Sequence, residues 1–164
     1  MIPWPENDTL FREQVAIGHE HEAVVADALQ RAGLPARTTP KAVRDHYDDR
    51  HAFQDECDVV CGPFVIDVKS RSYDFTGPDD FPFTTAMVGR VEAWDRRRIQ
   101  PMAVVCVSQS LRGMAVVPVE STRGRWLVEA AFDRMRNIDV RNYTCPRELL
   151  VPFQQLIDYL VPRC

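Results

Sequence analysis

No stretch of the 164 residues approaches the run of roughly 18 apolar residues needed to cross a bilayer. The opening Met1-Ile2-Pro3-Trp4-Pro5-Glu6-Asn7-Asp8 has neither a basic segment nor an apolar one, so no secretory signal is expected and the reading is a cytoplasmic protein without membrane partners. Internal repeats, low-complexity tracts and long linkers are missing as well, which predicts one domain over residues 1–164. An even set of cysteines is absent: Cys57, Cys61, Cys106, Cys145 and Cys164 are five, scattered, and expected as free thiols rather than a disulfide framework. A basic surplus is absent too. The formal net charge is −4, which opposes simple nucleic-acid binding. The distribution softens this, because acidic residues crowd Asp45 to Asp58 while arginines cluster at Arg96-Arg97-Arg98 and farther on.

The sequence does contain clear local signals. A helix is predicted from about Asp8, as N-cap, to Ala32, stopped by Gly33 and Pro35, with Gly18 a costly interior residue. The polar stretch from Pro35 to Gln54 is irregular, with a short helix around Ala42 to Tyr47. Cys57-Asp58-Val59-Val60-Cys61, a Gly62-Pro63 turn and Phe64-Val65-Ile66-Asp67-Val68-Lys69 read as a β-hairpin. Tyr73 to Phe83 is a loop rich in aromatics and Pro, suited to a lid. A helix over Thr84 to Arg98, strands over Met102–Val107 and Met114–Val119, and helices over Trp126–Met135 and Pro146–Leu160 complete the expectation. Together they give an α/β fold with one mixed central sheet flanked by helices.

Asp67 and Lys69 are two apart, so on a strand they share a face, while Phe64, Ile66 and Val68 point into apolar packing. If the turn at Gly62-Pro63 has an even number of residues, Asp58 lies opposite Asp67 with Cβ atoms roughly 5 Å apart. Facing carboxylates repel, and a divalent cation bridging them would offset the cost; hard oxygen donors favour Mg²⁺ or Mn²⁺. Lys69 would then hold a nucleophilic water or stabilise the phosphoryl group. A bare Asp-x-Lys equally fits an exposed strand ion pair, with Asp58 a surface residue near the turn. On the first helix, Glu22 has Val25, Ala26 and Leu29 on its stripe, and an acid on a core-facing stripe needs a partner. The other reading is a Glu that snorkels at the stripe's edge.

Glu22 on the helix, Asp58 on the next strand and Asp67-Val68-Lys69 on the one after form a pattern that resembles the PD-(D/E)XK nuclease superfamily, and the helix resembles that of archaeal Holliday-junction resolvases. The resemblance covers roughly residues 18–70 by motif. It implies a restriction-endonuclease-like αβββαβ core and a Mg²⁺-dependent hydrolysis of DNA phosphodiester bonds, of a structure-specific or repair and recombination type. It also implies Glu22, Asp58, Asp67 and the Val68 carbonyl as metal ligands, Lys69 as the water-orienting residue and, by analogy with small nuclease domains, a homodimer. Cys57 replaces the family's Pro, Pro78-Asp79 is a decoy after the motif, and Thr84–Arg98 offers arginines where some members carry Gln or Lys.

The rival readings differ in kind. A zinc site from His19, His21, Cys57 and Cys61 is opposed by the wide angle between His-x-His rings on a helix. Those histidines, with His46 and His51, are expected at the surface or in loops. No cysteine sits in an electropositive elbow that would make a Cys–His nucleophile. A non-catalytic binding or structural module of the same fold is favoured by the negative net charge and opposed by the complete residue set. Arg71 and Arg96, Arg97, Arg98 are candidate phosphate contacts or ordinary solvated residues. Tyr73, Phe75, Phe81 and Phe83 either stack on unpaired bases or, the favoured reading, pin their loop to the core.

Overall fold

The computed structural model describes residues 4–40, 57–134 and 137–164, the first five of these as backbone only. The expected short helix at Ala42–Tyr47, and His46 and His51, lie outside the described residues. α1 (Trp4–Arg31) is one continuous helix through Gly18, and it begins ahead of Asp8, with Pro5 in its first turn where a missing N–H costs nothing. Asp8 is therefore inside the helix rather than its N-cap. α1 ends as read: Gly33 takes φ +81° and gives its N–H to Gln30.

The chain then runs β1 (Ala36–Thr38), β2 (Val59–Cys61), β3 (Phe64–Ser70), β4 (Thr85–Arg90), α2 (Val91–Asp95), β5 (Ala103–Val107) and β6 (Met114–Pro118). After these come α3 (Val119–Thr122), β7 (Leu127–Asp133), β8 (Ile138–Pro146), β9 (Val151–Pro152) and α4 (Phe153–Leu160). The main sheet has the order β1-β2-β3-β5-β6-β9, with β3 and β5 parallel and all other neighbours antiparallel. β5 is buried along its whole length, so its Ala-Val-Val-Cys-Val run is apolar without alternation.

Two apolar layers sandwich this sheet. On one face Val25, Ala26 and Leu29 of α1 and Leu156 and Leu160 of α4 meet Val59, Cys61, Ile66, Val68 and Val105. On the other, Val104, Cys106, Ala115 and Val117 pack under Phe75, Phe81, Trp94 and Cys145. The result is a mixed α/β fold whose mixed sheet is flanked by helices. A Leu29→Ala change empties a fully buried site, and urea titration is expected to find a loss of about 2–5 kcal/mol.

Three expected helices are not formed as read. Thr84–Arg98 is β4 followed by the short α2: Ala86 and Val88 are buried while Thr85, Met87 and Gly89 are not, a period of two rather than 3.6. Trp126–Met135 is, over its described part, β7, an edge strand exposed along most of its length and paired with β8. Its Ala-Ala pair suits a helix, but ladder pairing with β8 decides the outcome. β4, β8 and β7 form a second, three-stranded sheet. Pro146–Leu160 forms a short 3-10 turn at Arg147–Leu149 and becomes an α-helix only at Phe153, because Pro146 still pairs in β8 and Pro152 ends β9.

Candidate functional site

The hairpin that carries the acidic pair folds in the expected register. Cys61 faces Phe64, Val60 faces Val65 and Val59 faces Ile66, and one residue beyond this ladder Asp58 brings its side chain against Asp67. Gly62, with φ +55°, supplies the positive φ of a two-residue primed turn, and Pro63 takes the second central position. Beyond Val59 the ladder to β3 stops, and the end of β2 is held from the other side. The Thr39 N–H donates to the Asp58 carbonyl at 3.1 Å, and the Thr39 hydroxyl donates to the Cys57 carbonyl at 2.6 Å.

With its backbone fixed there, Asp58 turns its carboxylate into the fork, where Oδ2 accepts the Val68 N–H at 2.7 Å. Asp67 is 3% exposed and stands between two cations: Lys69 Nζ lies 2.9 Å from Oδ2, and an Arg97 terminal nitrogen donates to Oδ1 at 3.2 Å. Asp67 Oδ2 is buried and receives no hydrogen bond from the described residues in addition to that ion pair. Burial alone would raise the Asp67 carboxyl. The Lys69 ammonium, contact with Asp58 and the Arg97 guanidinium outweigh it and bring the group down to about 2.

Because the folded value lies below the ordinary 3.8, Asp67 binds its proton more weakly folded than unfolded. Its contribution, about 2 kcal/mol, is present above the unfolded value and lost as pH falls toward about 2. Urea titrations at pH 5, 3 and 2 are expected to show this loss in the native chain and a flatter profile in Asp67→Asn.

The remaining sequence candidates fall into two groups. Glu22 is buried on α1, on the stripe with Ala26 as read, its Oε1 directed back toward Gly18. α1 packs on the face of Ile66 and Val68, whereas Asp67 and Lys69 belong to the opposite face of β3. Among the described residues, no three His, Cys, Asp or Glu side chains are gathered closely enough to hold a metal ion. Arg97 is at the site itself, against Asp67, with its guanidinium over the Trp94 ring at 5.0 Å. Arg96 and Arg98 are exposed. Arg71 is buried, and its guanidinium donates to the Met87 carbonyl and to Cys106 Sγ at 3.3 Å, which takes it off the surface where a phosphate contact was expected.

The aromatic loop is pinned. Phe75 and Phe81 are core residues, Tyr73 meets Phe83 edge to face at 4.8 Å, and the Asp80 carboxylate closes the loop by accepting the Thr76 and Gly77 N–H groups at 2.9 Å. His21, expected at the surface, is buried, and burial pushes its imidazole below the ordinary range against the pull of Glu20. Its place was legible, since Val25 and Leu29 follow at i+4 and i+8 on the same buried stripe. Thr39 carried no such signal.

The donor set suits a hard divalent ion. Two carboxylates are in contact, and Mg²⁺ keeps several waters and needs only one or two protein carboxylates. The zinc alternative finds no support in the arrangement, with His19 exposed and Cys57 and Cys61 part of β2 and its approach. Comparison with known protein families, with curated proteins and with solved structures gave no match.

Proposed function

We propose that this chain is a Mg²⁺-dependent nuclease of the PD-(D/E)XK type that hydrolyses DNA phosphodiester bonds, Mn²⁺ serving in place of Mg²⁺. The observation that carries the reading is the Asp58 side chain against Asp67, with Lys69 beside Asp67 on the same face of β3. The chain order supports it: a helix, three antiparallel strands and then, after an excursion through β4 and α2, a strand parallel to the third, in keeping with a restriction-endonuclease-like αβββαβ core.

Asp58, Asp67 and the Val68 carbonyl would hold the ion. When bound, a divalent cation lowers the pKa of a coordinated water and neutralises charge on the phosphate. The chain's own residues do the rest. The Val68 N–H fixes one oxygen of Asp58, so its carboxylate keeps one orientation. Lys69, a quarter exposed, is the donor that reaches both Asp67 and a water or phosphate oxygen at the mouth of the fork. Arg96 and Arg98, exposed beyond α2, would meet the DNA backbone in this reading. Among the described residues no helix is long and apolar enough to cross a membrane.

One observation favours a second reading, a non-catalytic module of the same fold. Lys69 and Arg97 already balance the two carboxylates, so the hairpin does not require an ion to persist. Purified protein assayed with Mg²⁺ on linear duplex, single-stranded, flap and four-way-junction DNA separates the two. The nuclease reading expects cleavage of at least one substrate that EDTA abolishes and Asp58→Asn removes. Intact DNA in every lane supports the binding module.

A further inference from the structure

The charge balance at Asp67 has a consequence for how an ion enters. Two buried carboxylates and two partly buried cations make a cluster balanced in charge, and a divalent ion added to it leaves a surplus of positive charge. One of the resident cations has to withdraw. Lys69 is tied to Asp67 by the strand, two residues away on the same face. Arg97 comes from the turn after α2, on a long side chain. Among the described residues its buried NH1 nitrogen has no acceptor, and the guanidinium reaches Asp67 through its other terminal nitrogen.

We propose that Arg97 is the site's resident counter-cation: it holds Asp67 Oδ1 in the metal-free protein, yields that oxygen to the entering ion, and then offers its planar fork to a phosphate oxygen of the substrate. This rests on the nuclease reading and makes Arg97 a positioning residue in the metal-free state. It follows that the wild-type protein binds its ion against an internal competitor.

Mn²⁺ titration followed by calorimetry, with metal-free thermal unfolding alongside, tests this on the full chain. Arg97→Met is expected to bind Mn²⁺ roughly tenfold more tightly than wild type and to melt at a lower temperature without metal. Arg97→Lys, which keeps the charge, is expected to restore wild-type affinity. If wild type binds Mn²⁺ and Arg97→Met binds it no better, the counter-cation role is overturned while the metal site stands. If no variant binds Mn²⁺ and Asp58→Asn changes nothing, the metal site itself is overturned.

A separate observation carries a second inference. Cys61 at the end of β2 and Cys164 beyond α4 place their sulfurs 3.8 Å apart, 103 residues apart in sequence. The approach is built: the Cys164 N–H donates to the Leu160 carbonyl at 2.9 Å, and an added Cβ on Gly62 would stand 3.1 Å from Cys164 Sγ. We infer that Cys61 and Cys164 form a reversible disulfide with a small-molecule disulfide such as oxidised glutathione. The exposed Cys164 thiolate attacks the small disulfide and expels one thiolate. Cys61 then attacks the Cys164 sulfur and passes its proton to the departing second thiolate, which leaves as a thiol. Two protein thiols are oxidised and one small disulfide is reduced to two thiols. Burial and the neighbouring Cys164 hold the Cys61 thiol up at about 12, which assigns the first attack to Cys164.

After equilibration with oxidised glutathione, peptide mapping is expected to find Cys61 linked to Cys164. The unfolding midpoint should rise by roughly 10 °C, and Cys164→Ser should abolish both effects. A stable glutathione adduct on Cys164 with Cys61 still reduced would overturn the inference.

Discussion

Asp67→Asn is expected to lower Mg²⁺-dependent DNA cleavage by at least about 100-fold, the scale on which a single preorganised charge-stabilising group counts in catalysis. The amide keeps the shape of the side chain but supplies no charge for a cation, and Lys69 loses the anion that positions it. A stability cost accompanies the loss, because Lys69 and Arg97 then face each other across a neutral group. A melting temperature lower by roughly 5 °C is expected, about 2 kcal/mol for a chain of this size. Alanine at this position is the poorer probe, since removing one partner of a buried charge cluster costs about 3–5 kcal/mol. Lys69→Ala supplies the complementary case. Lys69 is partly exposed and Asp67 retains Arg97, so cleavage is expected to fall with little change in unfolding. Cleavage retained by both variants would remove Asp67 and Lys69 from the chemistry.

The second large effect is structural. Gly113→Ala would place a Cβ 1.7 Å from the Phe75 carbonyl oxygen and 2.6 Å from its carbon. Those are backbone atoms, so no side-chain rotation relieves the overlap. Gly113 also accepts the Ser108 N–H and donates to the Ser108 hydroxyl, both at 2.9 Å, which ties the β5–β6 connection down just where the aromatic loop crosses it. The loop must lift or the connection must open, and either disturbs Phe75 and Phe81 in the core. A loss of about 3 kcal/mol or more is expected by denaturant titration. An alanine variant as stable as wild type would mean that the loop does not rest on this turn, and would reopen its role as a lid.

What the sequence made legible was what is decided locally. The Gly62-Pro63 turn sets the hairpin register within a few residues, and that register is enough to set Asp58 against Asp67. The α1 stripe through Val25, Ala26 and Leu29 is periodic, the apolar runs of β5 and β6 are continuous, and each formed where it was read. The errors lie where distant pairing decides. β7 is a strand because β8 lies beside it, and β4 pairs with β8, more than fifty residues away, although the alternation of Ala86 and Val88 was visible.

The part of Arg97 in balancing the aspartate pair was not legible for the same reason. The expectation named an ion and Lys69, while Arg97, thirty residues from Asp67, is delivered by the path through β4 and α2. Nothing in the run Arg96-Arg97-Arg98 distinguishes the middle residue as the one that turns inward. Glu22 is the converse case. Its burial was readable from the stripe, but its partner depends on where α1 lies over the sheet.

The central claim is that Asp58 and Asp67 share a divalent cation, and a crystal grown or soaked with Mn²⁺ tests it most directly. An anomalous peak is expected between the two carboxylates, about 2.0–2.2 Å from an oxygen of each, with Arg97 displaced from Asp67. No peak at that position in a crystal with Mn²⁺ present, and Arg97 still seated on Asp67 Oδ1, would contradict it.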